Sequence, residues 1–175
     1  QRLVKRMEKK LQEGQGKVLP TGSPGKVGFC DLLKDRIKGS LDIIDPYFCV
    51  ESINLIDSIV PNCDIKIIGG KKGPTGISPD LDNKLVTFRQ KLKSLQYGFL
   101  DIKVTVHDRW IVTKDRAWFL GTSLNGIGEK RESHVIELTG SDYQSLRLSF
   151  EKWWQVCEQN SQVRQYDFIR KIEWN

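Results

Sequence analysis

The 175-residue sequence is 38% hydrophobic and 9% aromatic, which is enough apolar material for one ordinary core and matches one domain rather than two. No apolar run approaches the roughly 20 residues that a bilayer-spanning helix needs, which argues against an integral membrane protein. The formal net charge is +6, from 28 basic and 22 acidic residues. This excess favours anionic partners such as nucleic acid, an acidic lipid headgroup or a phosphate-bearing metabolite, or serves only as a solvated surface.

The four cysteines form no CxxC pair, which indicates reduced thiols, no structural zinc or other cofactor, and a cytoplasmic location. They are Cys30, Cys49, Cys63 and Cys157. No signal-peptide core follows the basic start. Because the sequence begins with Gln1, we expect a fragment or a processed chain.

The first 26 residues are predicted to precede the folded domain. Residues 1–13 carry apolar side chains at four-residue spacing among basic ones, a pattern typical of an amphipathic docking or linker helix. Glycine and proline in residues 14–26 predict a loop, so the domain is expected over 27–175. The apolar positions of the helix are Leu3, Met7 and Leu11.

The next segments alternate between helical and strand patterns, which predicts a βαβ crossover with parallel strands in an α/β fold. Residues 69–80 then form a loop, whose Lys71 and Lys72 either face a ligand or are simply solvated. The predicted elements are a helix over 28–39, a strand over 41–45, a helix over 50–59 and a strand over 64–70.

The second half of the chain predicts two further helices and three further strands. The strands over 101–113 and 116–121 are joined at Lys114 and Asp115, which indicates a hairpin. The last helix carries aromatic side chains at helical spacing, and we interpret them as core. The remaining elements are a helix over 82–95, a strand over 133–138 and a helix over 142–159.

Two side chains suited to phosphate chemistry lie two residues apart in the predicted hairpin. His107 and Arg109 occupy alternate strand positions and therefore project to one face, whereas Asp108 and Trp110 project to the other. Imidazole can act as a nucleophile or an acid, and guanidinium can hold two phosphate oxygens. The alternative is that His107 is a structural histidine.

Residues 121–128, GTSLNGIG, follow the hairpin. Their glycines, the hydroxyls of Thr122 and Ser123 and the amide of Asn125 can present donors to an anion. The alternative is an ordinary turn.

The order of these segments resembles the phospholipase D superfamily over about residues 30–157. HDRWIVTKD, GTSLN, SHVIEL and SFEKWW follow one another like the family's histidine motif, its Gly-Ser-x-Asn segment, and the strand and helix after them. LDIIDPYF and CDIKIIGG are similar to the family's first two strands. The resemblance implies a mixed sheet flanked by helices, with one phospholipase-D-like half-unit per chain.

The sequence departs from the family pattern at three places. Arg109 stands where a lysine is usual, which exchanges a compact ammonium for a planar fork. Lys114 stands where the aspartate is usual, with Asp115 one residue later, and Asn125 is also one residue late. A slip of one residue turns a strand side chain to the opposite face unless a bulge restores the register.

The resemblance implies that His107 attacks phosphorus to form a phosphohistidine, a second histidine protonates the leaving oxygen, and water completes the hydrolysis without a metal. The implied catalytic residues are His107, Arg109, Asp115 and Asn125; phosphate contacts fall to Arg109, Lys114, Thr122, Ser123, Lys71 and Lys72. His134 is interpreted as structural. A homodimer would therefore bring two His107 side chains together.

Three hypotheses follow from these residues. The first is a metal-independent nuclease that acts on DNA or RNA as a homodimer. The second is a catalytically degenerate module that binds the phosphates of nucleic acid or phosphoinositide, because divergent relatives with an HDR motif include members that bind without catalysis. The third is a structural or regulatory domain.

Overall fold

A computed structural model describes residues 2–12, 16–101 and 109–169 of the chain. Eight described strands form one mixed sheet in the order β1-β7-β6-β5-β2-β3-β4-β8. The predicted α/β architecture, a mixed sheet flanked by helices, is confirmed. The strands are β1 (Lys17–Leu19), β2 (Ser40–Asp45), β3 (Asp64–Gly70), β4 (Ser94–Leu100), β5 (Trp110–Thr113), β6 (Ala117–Leu120), β7 (Ser133–Leu138) and β8 (Val163–Tyr166).

Helices cover both faces of this sheet. One face packs against α2, α3 and α4 and contains the larger apolar cluster. The opposite face packs against α5 and against Met7 of α1, which is fully buried. The helices are α1 (Arg2–Gln12), α2 (Ser23–Leu33), α3 (Val50–Ile56), α4 (Pro79–Arg89) and α5 (Gly140–Gln159).

The centre of the sheet is a parallel unit made by β2, β3 and β4, which α3 and α4 connect. The predicted βαβ crossover is therefore confirmed. Strands β2 and β3 contain Ile43, Ile44, Ile67 and Ile68, all buried, because a central parallel strand is covered on both faces. Their carboxyl ends lie at one edge of the parallel unit, where ligands commonly bind in open α/β sheets.

The structure corrects the prediction of a loop throughout residues 14–26. Lys17–Leu19 form β1, which pairs antiparallel with β7 and places Leu19 in the core. Helix α2 begins at Ser23, with a proline in its first turn, where the missing amide hydrogen breaks no helical bond. The predicted helix over 28–39 thus begins earlier and ends at Leu33.

The predicted helix over 82–95 is also too long. Helix α4 ends at Arg89, and β4 begins at Ser94 and pairs in parallel with β3. Leu92 and Leu95 continue the helical spacing of the apolar residues, yet Leu95 belongs to the strand. The guanidinium of Arg89 donates to the carbonyl of Leu92 at 2.6 Å and holds the turn where the chain reverses.

Helix α5 supplies much of the second apolar cluster. Tyr143, Phe150, Trp154 and Cys157 are buried against the sheet, which confirms their interpretation as core residues. Gly98 of β4 allows this contact, because a Cβ there would lie 3.1 Å from the Cys157 sulfur. Within the described ranges, no helix is both long and apolar enough to cross a membrane.

All four cysteines are free thiols. Burial raises the pKa of Cys30, raises that of Cys63 to about 11 and raises that of Cys157 to about 12. Because the thiolate is the reactive form, these three side chains are expected to be inert at neutral pH.

Asp42 of β2 is a half-buried carboxyl on the α5 face, near Lys66 of β3 and near Arg147 and Glu151 of α5. Burial raises its pKa from 3.8 to about 6, and the two cations only partly oppose this rise. The folded state therefore binds the Asp42 proton more tightly than the unfolded chain does. The contribution is favourable at low pH and is lost as the pH rises from about 4 through about 6.

Asp42→Asn is expected to stabilise the fold at neutral pH by roughly 1 to 2 kcal/mol, because the buried charge is removed and partial exposure moderates the gain. The difference between variant and wild type should grow from about pH 4 to about pH 6 in urea unfolding. The matched control is Asp80→Asn, at an exposed position. A difference that stayed constant with pH would contradict this assignment.

Candidate functional site

The candidate site lies where β2 and β3 end and β5 begins. Asp45 is the last residue of β2, Gly70 is the last of β3, and Arg109 directly precedes β5. Ile44 pairs with Trp110 across β2 and β5, and one further step of this antiparallel register places Arg109 opposite Asp45. A carboxylate and a guanidinium therefore share the edge at which the parallel strands end.

Asp45 is fully buried and accepts hydrogen bonds from two distant segments. Its Oδ2 accepts from the Ser123 hydroxyl at 2.7 Å and from the Leu124 amide at 2.9 Å. Its Oδ1 accepts from the Tyr47 amide at 2.9 Å. Asp45 thus fixes the segment after the hairpin to the end of β2, and the sequence analysis did not identify this role.

The turn after Asp45 presents an aromatic ring to Arg109. The Phe48 amide donates to the Asp45 carbonyl at 3.0 Å, which closes a β-turn with Pro46 in its favoured second position. Tyr47 is 42% exposed, and the Arg109 guanidinium carbon lies 5.4 Å from the centre of its ring. This distance is within the range of a cation–π contact, so Asp45 also positions Arg109 through Tyr47.

Arg109 retains capacity to bind a ligand. The residue is half-buried, its carbonyl accepts from the Leu120 amide at 2.9 Å, and its buried Nε has no hydrogen-bond partner among the described residues. A guanidinium carries five N–H donors, and a buried donor without a partner is destabilising. An oxyanion at this edge would satisfy it.

Lys71 and Lys72 follow β3 at the same edge. The Lys72 ammonium donates to the Phe48 carbonyl at 3.0 Å, which places its charge beside the turn that carries Tyr47. Lys71 is exposed, and its amide donates to the Leu100 carbonyl at 2.7 Å. The structure therefore brings Lys72 to the Arg109 edge and leaves Lys71 on its solvent side.

A tyrosine lies beneath this edge. Tyr97 of β4 is fully buried, and a Cβ at Gly69 would lie 1.8 Å from its hydroxyl oxygen, so only glycine fits at position 69. Burial and then the Asp45 charge raise the Tyr97 pKa, so the hydroxyl stays protonated. It has no hydrogen-bond partner in the described part of the chain.

The GTSLN segment is brought to the site, although its groups do not all point to an anion. The single proton of the Ser123 hydroxyl goes to Asp45, so Ser123 cannot simultaneously donate to a phosphate. Thr122 is half-buried, with its hydroxyl against Gly126. Asn125 is exposed on a short 3-10 helix, Leu124–Gly126, that faces α3.

Lys114 and Asp115 are not brought to the Arg109 edge. Both are exposed in the turn between β5 and β6, at the end of β5 away from Arg109. The four residues of β5, at about 3.3 Å each, separate the two ends by about 13 Å. The Lys114 carbonyl instead accepts from the Tyr143 hydroxyl at 2.5 Å.

His107 and Asp108 lie outside the described residues, so the predicted position of the His107 side chain stays a prediction. His134 is half-exposed on β7. Its neighbours Val135 and Ile136 pack into the α2 face and the α5 face respectively, so alternation places His134 on the α5 face. Arg109 shares the other face with Ile111, which separates His134 from the candidate site.

No cluster of three or more histidine, cysteine, aspartate or glutamate side chains with metal-binding geometry occurs within residues 2–12, 16–101 and 109–169. Asp45, the buried carboxylate of the site, is surrounded by hydrogen-bond donors. The described part of the site therefore has the character of an anion site built around a guanidinium.

Comparison with known proteins gives matches among solved structures, whereas no family model and no curated protein matches the sequence. Nuc, a phospholipase D family member from Salmonella typhimurium, is similar with a TM-score of 0.55 and 16% identity, over 87% of this chain and 99% of Nuc. The archaeal chromatin protein TrmBL2, whose structure shows a novel mode of DNA binding, is similar with a TM-score of 0.53 and 15% identity. Yeast tyrosyl-DNA phosphodiesterase has a TM-score of 0.42 and 11% identity, over 71% of this chain and 33% of that enzyme.

The match to TrmBL2 covers 79% of this chain and 49% of TrmBL2, so the chain spans about half the length of that protein. The match to Nuc extends over almost all of Nuc. Together with the mixed eight-stranded sheet, these similarities establish a phospholipase-D-like fold. The resemblance that the sequence motifs indicate is confirmed at the level of the fold.

Proposed function

We propose that this chain, with its phospholipase-D-like fold, binds a phosphodiester of nucleic acid at the Arg109 edge and hydrolyses it through His107. The observation that carries the proposal is the half-buried Arg109, whose Nε lacks a partner while Tyr47 and the Asp45 network hold its surroundings. Guanidinium binds two phosphate oxygens in a fixed geometry. Lys72 adds a second positive charge at this edge, and the net charge of +6 favours a polyanion.

In the proposed reaction, the imidazole of His107 attacks phosphorus, so that a P–N bond forms while the bond from phosphorus to the leaving oxygen breaks. The imidazolium of a second His107, supplied by another copy of the chain, donates the proton that the leaving oxygen takes up. Water then attacks phosphorus, releases the phosphomonoester and regenerates the imidazole. Imidazole serves as nucleophile, acid and base in turn, so the cycle needs no metal.

The homodimer belongs to this proposal because one chain supplies one histidine for two roles. His134, the other histidine in the sequence, lies on the opposite face of the sheet from Arg109. A two-fold axis would bring two identical sites together. DNA binding by TrmBL2 and the phospholipase D relationship of Nuc support nucleic acid as the ligand class.

A second candidate is a module that binds phosphate without cleaving it. It is favoured by Lys114 and Asp115, which lie in the turn at the far end of β5 and leave the Arg109 edge without the carboxylate that the motif implies. Arg109 keeps its charge at any practical pH, so this module would still bind a phosphodiester.

Wild-type protein is expected to cleave plasmid, single-stranded DNA or RNA in the presence of a chelator, and His107→Ala should abolish that activity. The matched control is His134→Ala, which should retain it because His134 faces α5. Light scattering on the same samples should show a dimer. Cleavage by His107→Ala at the wild-type rate would refute the mechanism, and binding without cleavage by the wild type would select the second candidate.

A further inference from the structure

A cavity of about 200 Å³ opens beside the candidate phosphate site, between α3 and the 3-10 helix that carries Asn125. Its inner wall is apolar and consists of Leu55, Leu124 and Ile127; Leu124 and Ile127 are buried, and Leu55 is half-buried. Its rim is polar. The rim residues are Lys26, Glu51, Asn54, Asn125 and Glu129.

The charge of this rim argues against a second phosphate site. Glu51 and Glu129 contribute carboxylates, and the Lys26 ammonium is already paired with Glu129 at 3.0 Å. A hydrogen bond from the Cys49 thiol is the main cause that lowers the pKa of Glu51, so Glu51 is ionised at neutral pH. Phosphate oxygens would meet repulsion here, and an inositol phosphate headgroup is disfavoured for the same reason.

The lining instead suits a neutral planar group with hydrogen-bonding edges. Aliphatic walls accept the flat faces of such a ring by apolar contact. The carboxamides of Asn54 and Asn125 offer both donors and acceptors, and Glu51 offers acceptors. Asparagine and glutamate side chains pair with the edges of nucleobases in this manner.

Leu124 connects this cavity to the phosphate site. Its amide donates to Asp45 at 2.9 Å, while the residue itself lines the cavity. Glu51 lies in the first turn of α3, the helix that follows the Tyr47 turn. The two sites therefore share the structure that Asp45 organises.

We infer that the cavity binds a nucleobase of the strand whose phosphate occupies the Arg109 edge. This inference rests on the proposed function and adds to it that the ligand is recognised through its bases as well as its backbone. It also assigns Asn125, together with Asn54, to base recognition.

The test compares two labelled single strands of equal length, one of ordinary DNA and one of abasic DNA with the same sugar-phosphate backbone. Wild-type protein is expected to bind ordinary DNA about tenfold more tightly, because contact with one base supplies an effect of that order. Asn54→Ala should lower the preference for ordinary DNA to near one while leaving the affinity for abasic DNA unchanged. The matched control is Asn83→Ala, an exposed asparagine of α4 that does not line the cavity.

The outcomes separate the two claims. Equal wild-type affinity for both strands, with Arg109→Ala weakening both, would overturn the nucleobase site and support phosphate binding at Arg109. A preference that survives Asn54→Ala unchanged, in protein whose thermal unfolding matches the wild type, would also overturn the cavity assignment. If neither strand bound to the wild type, the proposed function would fail and the nucleobase site with it.

Discussion

Replacing Asp45 by alanine is expected to lower the free energy of unfolding by about 3 to 6 kcal/mol, because it leaves three donors without their acceptor and each unsatisfied buried donor is destabilising by roughly 1 to 3 kcal/mol. Urea unfolding monitored by tryptophan fluorescence measures this loss. The affinity for phosphate ligands should fall as well, since Asp45 positions the Tyr47 turn beside Arg109. Asp45→Asn should recover only part of the stability, because its amide nitrogen is itself a donor.

Two comparisons make this prediction specific. Asp80→Ala, at an exposed site in the first turn of α4, should change stability by less than about 1 kcal/mol. Ser123→Ala should have a smaller effect than Asp45→Ala, and the double variant should be destabilised by less than the sum of the two single effects, since their hydrogen bond is lost in each. A loss below about 1 kcal/mol for Asp45→Ala would show that the network does not hold the site together.

Replacing Arg109 by alanine is expected to weaken binding of inorganic phosphate and of single-stranded DNA by about tenfold to a hundredfold. The reason is the loss of charge-assisted hydrogen bonds to phosphate oxygens, which contribute roughly 1.5 to 3 kcal/mol. Titration of labelled DNA across a salt series measures the effect. The salt dependence should also become shallower, because fewer counterions are released on binding.

Arg116 provides the matched control, since it is a half-exposed arginine in the turn at the other end of β5 and pairs with Glu137 at 2.7 Å. Arg116→Ala should leave phosphate affinity within about twofold of the wild type, because weakening by a surface ion pair is small. Arg109→Lys should give intermediate binding, as it keeps the charge and loses the fork. Wild-type affinity in Arg109→Ala would remove the shared basis of both candidate functions.

The sequence predicts the central elements of the sheet well. Strands β2, β3 and β7 have runs of β-branched residues, and their predicted bounds agree with the structure within one residue. The parallel arrangement of β2 and β3 follows from the helix between them. These elements are predictable because their apolar pattern and their burial arise from the same local sequence.

Other elements depend on tertiary contacts that no local pattern reveals. Strand β8, VRQY, is an edge strand with two exposed residues, and edge strands are often polar. Strand β4 begins with Leu95, which continues the helical spacing of α4. Strand β1 is short and follows a segment rich in glycine, which favours the interpretation as a loop.

The candidate site shows the same division. Arg109 is identified from its spacing in a strand pattern, and the structure places it at the functional edge. Asp45 was missed because an aspartate followed by proline is typical of a turn, and its donors at Ser123 and Leu124 are remote in sequence. The combination of a buried strand, a terminal aspartate and a later Ser-Leu segment is a signal only once the strand order is known.

The network around Asp45 has a consequence for the order in which the protein folds. Strands β2, β3 and β4 follow one another along the chain and pair as neighbours, so this unit closes short loops and can form early. Asp45 belongs to that unit, whereas Ser123 and Leu124 follow the hairpin formed by β5 and β6. The carboxylate thus acquires two of its three donors only when the hairpin docks, and a partly folded chain that contains the parallel unit alone lacks the phosphate site.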